Sequence, residues 1–400
     1  MEQQLNIFVV HPSDMITDHL PHGAGWIVYN YLRGLAERGH TVHVAAPRVE
    51  MRGPVPPGMH LHVIERKEGH GGLGRLAYMR AVRALLDKLS RSVHFHIAQQ
   101  FTPVETGLSL GILGTGIPLV LGPYSGFWPQ DADGPPRPVS GLTRLKIQVR
   151  DTIAFLQQKQ ARALVVTCPA ALERIRSKAD RDRRVHVIGH GIDSAGYAAR
   201  QNIPDKPSIL FLANLEYRKG IFTLLDAFDL MAAKVPDCSL EVWGTGAEEA
   251  AIEQRIGQSP FRDRIHRRGR APRERVSEIM RSHSVYCMPS HGEPFGMTLL
   301  EAMASGVPVV TTDCGGPPHI LHEKGGRVVP MRDAERLADA LLEIVSNVEL
   351  QRSMGEYNRR RIEEEFDWRH SLDRMESVYE RVLSRHGNPA ARPERGEVSA

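Results

Sequence analysis

The stretch HSVYCMPSHGEPFGMTLLEAMASGVPVVTTDCGG, residues 283–316, has the pattern of a strand, a sharp loop, a short helix and a second strand. Residues 285–288 form a short apolar run of the buried-strand kind. Two prolines and two glycines within residues 289–296 exclude a regular element there. Apolar residues then recur at helical spacing from Met297 to Ala304, before Ser-Gly-Val-Pro ends the helix. The stretch therefore predicts a loop that follows a strand and opens a helix.

A loop of this kind is where α/β sheets bind ligands. The first N–H groups of the helix, those of Gly296, Met297 and Thr298, have no intrahelical partner, and the helix dipole favours an anion beside them. Two carboxylates frame the turn, Glu293 in the loop and Glu301 on the helix. Their spacing alone carries no weight in a chain with 47 acidic residues, because two solvated glutamates would show it equally well. A ligand with sugar hydroxyls at one end and a ribose at the other would engage both.

Residues 289–310, PSHGEPFGMTLLEAMASGVPVV, closely resemble the donor-site motif of the retaining glycosyltransferases of family 4. The resemblance implies an α/β chain with the GT-B fold, in which two doubly wound Rossmann-like domains face each other across a cleft. It also implies a nucleotide diphosphate sugar as co-substrate, with no other cofactor. Glu293 would then hold sugar hydroxyls and Glu301 the ribose, while Phe295 and the helix start at Gly296 would complete this side of the donor site.

The beginning of the chain supports the same resemblance. Residues 23–47, GAGWIVYNYLRGLAERGHTVHVAAP, predict a helix followed by a strand, and they resemble the N-terminal signature of the family. Glycines where a chain enters a helix suit close approach of the backbone to a phosphate. The resemblance implies that Gly23 and Gly25 face the donor phosphates across the cleft.

A second donor-side loop is predicted at residues 213–220, ANLEYRKG, which follow the apolar run 208–212. A lysine in such a strand-to-helix loop can reach a diphosphate as a point charge, and Lys219 is placed to do so. The family pattern has Gly-Arg where this chain has Ala213 and Asn214, so Arg218 would supply the missing charge from a shifted position. The further donor-side residues that the resemblance implies are Asn214, Gly244 and Arg270.

The chain departs from the family pattern on the acceptor side. Gly122-Pro123 stands where many members have a histidine after a strand, so Tyr124, Ser125 or a backbone group is expected to serve on the acceptor side. The main interpretation is a retaining glycosyltransferase that acts on a hydroxyl of a polysaccharide, a lipid-linked glycan or a small molecule. The alternative that these departures keep open is a catalytically inactive sugar-nucleotide-binding partner of another transferase.

No metal site is predicted. Asp131-Ala132-Asp133 imitates the DxD metal motif of the other glycosyltransferase architecture, but its Pro/Gly-rich surroundings favour a turn. Lys219, the helix start and the glycine loop would instead stabilise the charge of the leaving diphosphate, so we expect metal-independent transfer with Lys219 and Glu293 as the catalytic residues. The four cysteines lack CxxC spacing and are expected to be buried reduced thiols.

Composition bounds the remaining function classes. Charged residues make up 24% and hydrophobic residues 41% of the 400 residues, as in globular proteins. A net charge of +4 is too small to indicate nucleic acid binding. With no signal peptide and no apolar run near the length of a membrane span, a cytoplasmic location is expected. A basic helix at residues 142–163 is either a solvated face or a contact for an anionic acceptor or for the inner face of the membrane, which would make the protein peripheral there.

The predicted organisation has two main domains. Residues 1–193 would form the acceptor-binding domain, residues 194–207 a linker, and residues 208–370 the nucleotide-sugar-binding domain. By resemblance, residues 371–386 form a crossover helix that packs back on the first domain. Residues 387–400 are polar and rich in Pro, Arg and Glu, and they are expected to be disordered.

Overall fold

The computed structural model describes residues 4–12, 15–19, 23–65, 71–101, 109–126, 141–177, 181 and 183–387. The first half of the chain builds a seven-stranded parallel sheet in the order β5-β3-β1-β6-β7-β8-β9. Its strands are β1 (Asn6–Val10), β3 (Thr41–Ala46), β5 (Met59–Val63), β6 (Ile97–Gln100), β7 (Leu119–Tyr124), β8 (Ala163–Val166) and β9 (Val185–Val187). β2 (Met15–Thr17) and β4 (Arg48–Glu50) pair separately. The helices are α1 (Gly23–Glu37), α2 (Gly71–Leu89) and α3 (Gly141–Gln160).

The second half builds a six-stranded parallel sheet in the order β12-β11-β10-β13-β14-β15. Its strands are β10 (Ser208–Leu212), β11 (Ser239–Trp243), β12 (Ile265–Gly269), β13 (Val285–Met288), β14 (Val309–Thr312) and β15 (Gly326–Val329). The helices are α4 (Ile221–Ala232), α5 (Glu249–Gly257), α6 (Val276–Arg281), α7 (Met297–Ala304), α8 (Ala334–Val345), α9 (Val348–Arg361) and α10 (Trp368–Gly387). The predicted strand β13 and helix α7 are confirmed with their boundaries.

The central strands of both sheets are short, apolar and buried, as parallel sheets covered by helices on both faces require, while the edge strands β5, β9, β12 and β15 are partly exposed. Residues 7–9 of β1 and 209–210 of β10 have no exposed surface. In each sheet the strand order reverses once, between β1 and β6 in the first and between β10 and β13 in the second. Ligands of such sheets bind beyond the carboxyl ends of the strands at the reversal, which puts the loops after β10 and β13 at the predicted site.

The last helix contacts the first half of the chain. It begins at Trp368, three residues before the predicted start, and its description ends at Gly387, so the predicted tail lies almost wholly outside the described residues. Glu376 on α10 accepts hydrogen bonds from Arg38 and from the buried imidazole of His40, at 2.5 and 2.9 Å. Tyr379 donates its hydroxyl to Gln99 of β6. These buried polar contacts fix α10 to the first sheet.

The two halves also pack directly on each other. Phe295, in the loop before α7, stands edge-on to His190 with ring centroids 4.9 Å apart, and it is only 4% exposed. The Cys168 thiol approaches the Pro294 carbonyl oxygen at 3.7 Å. Residues from both sheets form one hydrophobic cluster around this contact. No helix among the described residues has both the length and the apolarity needed to cross a membrane.

The burial of His190 against Phe295 predicts that the folded protein loses stability in acid. Burial lowers the pKa of His190 to about 4, because an imidazolium there would lose its hydration. Below pH 6.5 the unfolded chain therefore takes up a proton that the folded chain does not, and the free energy of unfolding falls until about pH 4, by up to roughly 3 kcal/mol. Urea denaturation of wild type and His190→Gln between pH 7.5 and 4.5 measures this.

The variant should lose less stability over that interval, since other buried histidines are common to both proteins and cancel in the comparison. Parallel stability curves for the two proteins would contradict the assignment of a depressed pKa to His190.

Candidate active site

The site is built where the loops after β10 and β13 dock on each other. The backbone N–H of His291 donates to the carbonyl oxygen of Arg218 at 2.7 Å. Gly220 has a φ of 72° and approaches Pro289 so closely that a Cβ would lie 1.8 Å from the Pro289 carbonyl oxygen. Only glycine can occupy such a position, since it combines a left-handed conformation with direct backbone contact. The two loops are therefore locked together at residues 218–220.

This docking brings the two predicted catalytic residues into contact. The Lys219 ammonium donates to Glu293 Oε2 at 2.5 Å, and their side chains are 14% and 13% exposed. The backbone of Glu293 is fixed from the other side, because its N–H donates to Cys314 and its carbonyl accepts from Gly316, at 3.0 and 2.9 Å. A cation and an anion thus lie side by side, largely shielded from solvent, at the carboxyl edge of the second sheet.

Helix α7 begins directly beside this pair. Gly296 precedes it with a φ of 108°, and no side chain caps the helix. The first intrahelical bonds are those from Leu299 and Leu300 to the Gly296 carbonyl oxygen, at 3.1 and 3.3 Å. The N–H groups of Gly296, Met297 and Thr298 precede these bonds, and the positive end of the helix dipole is not neutralised by a side chain. These N–H groups are therefore available at the helix start where the sequence predicts an anion site.

Glu301 lies one turn further along α7 and is nearly buried, with 9% exposure. Burial raises the pKa of its carboxyl group, while the Arg273 guanidinium and a hydrogen bond from the Tyr197 hydroxyl oppose that shift. The Tyr197 hydroxyl donates to Oε1 at 2.9 Å, and Arg273 lies 3.9 Å from the same oxygen. Among the described residues, Oε2 accepts no hydrogen bond.

The glycines at the start of α1 occupy a different setting from the one predicted. Gly23 and Gly25 lie within the first turn of α1 and not in a loop before it. A Cβ on Gly25 would lie 2.1 Å from the Met15 carbonyl oxygen, so this glycine is required for packing against β2. Trp26, the next residue, faces the other half of the molecule, where the Arg273 guanidinium lies 4.0 Å from the centre of its ring.

One acceptor-side prediction is wrong. Tyr124 is a core residue with 3% exposure, and burial raises the pKa of its phenol. β7 is buried along its whole length, so the ring of its last residue is covered and cannot present a hydroxyl to an acceptor. Ser125 lies just beyond the strand, and its carbonyl oxygen accepts from Arg174 at 3.1 Å. A Cβ on Gly126 would lie 3.4 Å from the Pro294 carbonyl oxygen, so this loop lies beside the donor loop.

The other predicted donor-side residues are placed around the docked loops. Arg218 pairs with Glu216 at 2.7 Å, and Asn214 makes a long contact of 3.4 Å with the same side chain. Gly244 has a φ of 139°, and a Cβ there would lie 1.8 Å from the Ala213 carbonyl oxygen, so it is needed for backbone approach. Arg270 is exposed just beyond β12. Phe295 is at this loop, but its ring packs against the first half of the chain.

Three residues of the site were not predicted: Tyr197, Arg273 and Trp26. Tyr197 lies in the predicted linker, where nothing in the sequence marks a polar contact. Arg273 is one of several arginines in residues 262–275, and no spacing distinguishes it from its neighbours. In the sequence, Trp26 is equally well interpreted as one of the apolar residues of helix α1. Only the tertiary structure brings these side chains to Glu301. The predicted turn at Asp131-Ala132-Asp133 lies outside the described residues.

Two family models match the chain. The model for Glycosyltransferase Family 4 matches residues 21–195, and that for Glycosyl transferases group 1 matches residues 193–361. The phosphatidyl-myo-inositol mannosyltransferase of Mycolicibacterium smegmatis is 32% identical over 202 residues, which are 49% of this chain and 51% of that protein. The chain spans about half the length of several curated relatives that it matches.

Solved structures show the same fold. Sucrose-phosphate synthase from Thermosynechococcus elongatus superposes with a TM-score of 0.75 at 20% identity, over 95% of this chain and 100% of that one. The Anabaena protein HepE in complex with UDP gives a TM-score of 0.72 at 15% identity, over 94% and 100% of the two chains. The predicted GT-B fold is thereby confirmed. Because the two family models follow each other from residue 21 to residue 361, the chain belongs to glycosyltransferase family 4.

Proposed function

We propose that the protein transfers a glycosyl group from a nucleotide diphosphate sugar to an acceptor hydroxyl, with retention of the anomeric configuration. The observation that carries this proposal is the contact of Lys219 with Glu293 beside the uncapped start of α7. One cationic group and several N–H donors suit a diphosphate, while the adjacent carboxylate suits sugar hydroxyls. Membership of the family and the UDP-bound HepE structure support this choice of ligand.

The chemical difficulty lies in the leaving group. As the bond between the anomeric carbon and the phosphate oxygen breaks, its electron pair passes to the diphosphate, and the sugar becomes oxocarbenium-like. Lys219 and the N–H groups of Gly296, Met297 and Thr298 are preorganised to stabilise that negative charge. These groups supply the charge compensation for which other transferases use a divalent cation, so we propose that transfer needs no metal.

Glu293 has the complementary role toward the sugar. Donor binding would draw the Lys219 ammonium toward the diphosphate and leave the carboxylate of Glu293 to accept hydrogen bonds from sugar hydroxyls. The acceptor oxygen then bonds to the anomeric carbon on the face that the leaving group vacates. The acceptor proton passes to the leaving phosphate oxygen, and retention follows from this front-side geometry. Glu301, further along α7, would accept from the ribose hydroxyls through Oε2.

Turnover with a panel of nucleotide diphosphate sugars tests the proposal. Each donor is tested for hydrolysis and for transfer to sugar, lipid-linked and small-molecule hydroxyls. Each reaction is measured first in a chelator and then with added magnesium or manganese. We expect turnover with one donor, unchanged by the chelator. Loss of turnover that added metal restores would contradict metal independence. Donor binding without turnover on any acceptor would favour the alternative, an inactive sugar-nucleotide-binding partner of another transferase.

Lys219→Ala should lower the rate of transfer by roughly 10² to 10³, the usual loss when one group that stabilises developing charge is removed. The loss should persist at saturating donor, because the charge develops in the transition state. The rate is measured beside Lys234→Ala, a matched control that removes an exposed lysine of the same half of the chain. A wild-type rate for the Lys219 variant would exclude its role at the diphosphate.

The acceptor side has a surface that bears on the class of acceptor. Leu145, Val149 and Leu156 on α3 are 55%, 52% and 53% exposed, and their spacing puts them on one stripe of the helix. Arg150 and Lys159 lie on the same helix. Aliphatic side chains bordered by cations are typical of helices that lie in the headgroup region of an anionic bilayer. We propose a lipid-linked acceptor that the protein meets by peripheral contact at this helix.

Replacing Arg150 and Lys159 with glutamine should weaken binding to anionic vesicles by about fivefold per residue at low salt, since each basic group contributes about 1 kcal/mol near such a surface. Binding that remains should depend less on salt. Sedimentation with phosphatidylglycerol vesicles measures both, and Leu230→Ser, at an exposed position of the second half, is the control. Failure of the wild type to sediment would contradict the membrane contact and favour a soluble acceptor.

A further inference from the structure

One side-chain contact joins the two halves of the molecule directly beside Glu301. Trp26 belongs to the first turn of α1, and Arg273 lies just before α6 in the second half. The Arg273 guanidinium carbon lies 4.0 Å from the centre of the indole ring, within the range of a strong cation–π contact. Arg273 thus has an aromatic partner that comes from the opposite domain.

The same guanidinium also faces Glu301. Arg273 Nη1 lies 3.9 Å from Glu301 Oε1, an oxygen that already accepts a hydrogen bond from the Tyr197 hydroxyl. This ion-pair distance is longer than the 2.7–2.9 Å of a direct charge-assisted hydrogen bond. Arg273 thus lies between the indole and the carboxylate, and among the described residues Oε2 accepts no hydrogen bond.

The ionised form of Glu301 needs such a neighbour. Burial raises the pKa of this carboxyl group, and the positive charge of Arg273 is the larger of the two influences that oppose the shift. Arg273 itself is one-third exposed, and a long flexible side chain at the surface loses conformational entropy when it is held in one place. The contact with Trp26 offsets that loss, because the aromatic face attracts the guanidinium charge.

We propose that Arg273 is a positioning residue for Glu301 and that Trp26 holds it in place from the other domain, so that the ribose site is complete only when the domains are closed. This inference rests on the proposed function, in which Glu301 accepts from the ribose hydroxyls. Opening of the domains removes Trp26, and the guanidinium is then no longer held at its place beside Glu301. Because the nucleotide binds the closed arrangement more tightly, its binding shifts the protein toward that arrangement.

The affinity of the full chain for UDP and for GDP, measured by calorimetry, tests the inference. Trp26→Ala should weaken binding about three- to tenfold, while Trp26→Phe, which keeps an aromatic face, should bind within about twofold of wild type. Arg273→Ala should be at least as weak as Trp26→Ala, and the double variant no weaker than Arg273→Ala, because Trp26 acts through Arg273. In turnover with the donor that the panel identifies, Trp26→Ala should raise KM and leave kcat near the wild-type value.

Arg33→Ala is the matched control. Arg33 lies 5.9 Å from the ring of Trp368, so it makes a cation–π contact between α1 and α10, away from the loops after β10 and β13. Its removal should leave the affinity unchanged. Wild-type affinity in Trp26→Ala, or losses in Trp26→Ala and Arg273→Ala that add in the double variant, would overturn the inference while leaving the proposed function intact. A wild-type protein that binds neither nucleotide and turns over no donor of the panel would instead contradict the proposed function, and the inference would fall with it.

Discussion

The hydrogen bond from the His291 backbone to the Arg218 carbonyl oxygen fixes the arrangement on which the site depends. It joins the loops that leave β10 and β13, the two strands between which the order of the second sheet reverses. With Gly220 pressed against Pro289, the loops have one way to fit, and that fit leaves Lys219 in contact with Glu293. A charged pair of low exposure is costly to build unless its partners are held by the fold, and here the backbone holds both.

The two halves of the molecule are joined by groups of different chemical kinds. Phe295 packs on His190 in an apolar contact, while α10 is fixed to the first half of the chain by the buried carboxylate of Glu376. Trp26 and Arg273 make a third contact at the edge, where a guanidinium stays partly hydrated. The side chains of the first two contacts are buried away from water, and we expect those contacts to persist. The third is the one that a domain movement could break at little cost, and it is the one whose guanidinium lies beside Glu301.

Local pattern predicted much of this arrangement. The strand at residues 285–288 and helix α7 follow from apolar periodicity and from the glycines and prolines between them, and the family resemblance assigned Lys219 and Glu293 to one site. The burial of single side chains was harder to predict from the sequence. Tyr124 was interpreted as a polar residue after a strand, but it lies in the core. The contacts of Trp26, Arg273 and Tyr197 join residues far apart in sequence, and no local pattern encodes such a meeting. Gly25 and Gly244 were predicted for a ligand, but the structure shows that the backbone itself needs them.

The most direct test of the central claim is a crystal structure of the protein with the nucleoside diphosphate of its active donor, or with UDP. The account predicts the terminal phosphate at the start of α7, within hydrogen-bond distance of Lys219 Nζ and of the N–H groups of Met297 and Thr298, with the ribose hydroxyls on Glu301. Lys219 would then have exchanged Glu293 for the phosphate. A diphosphate bound elsewhere, with the contact between Lys219 and Glu293 unchanged at 2.5 Å, would contradict it.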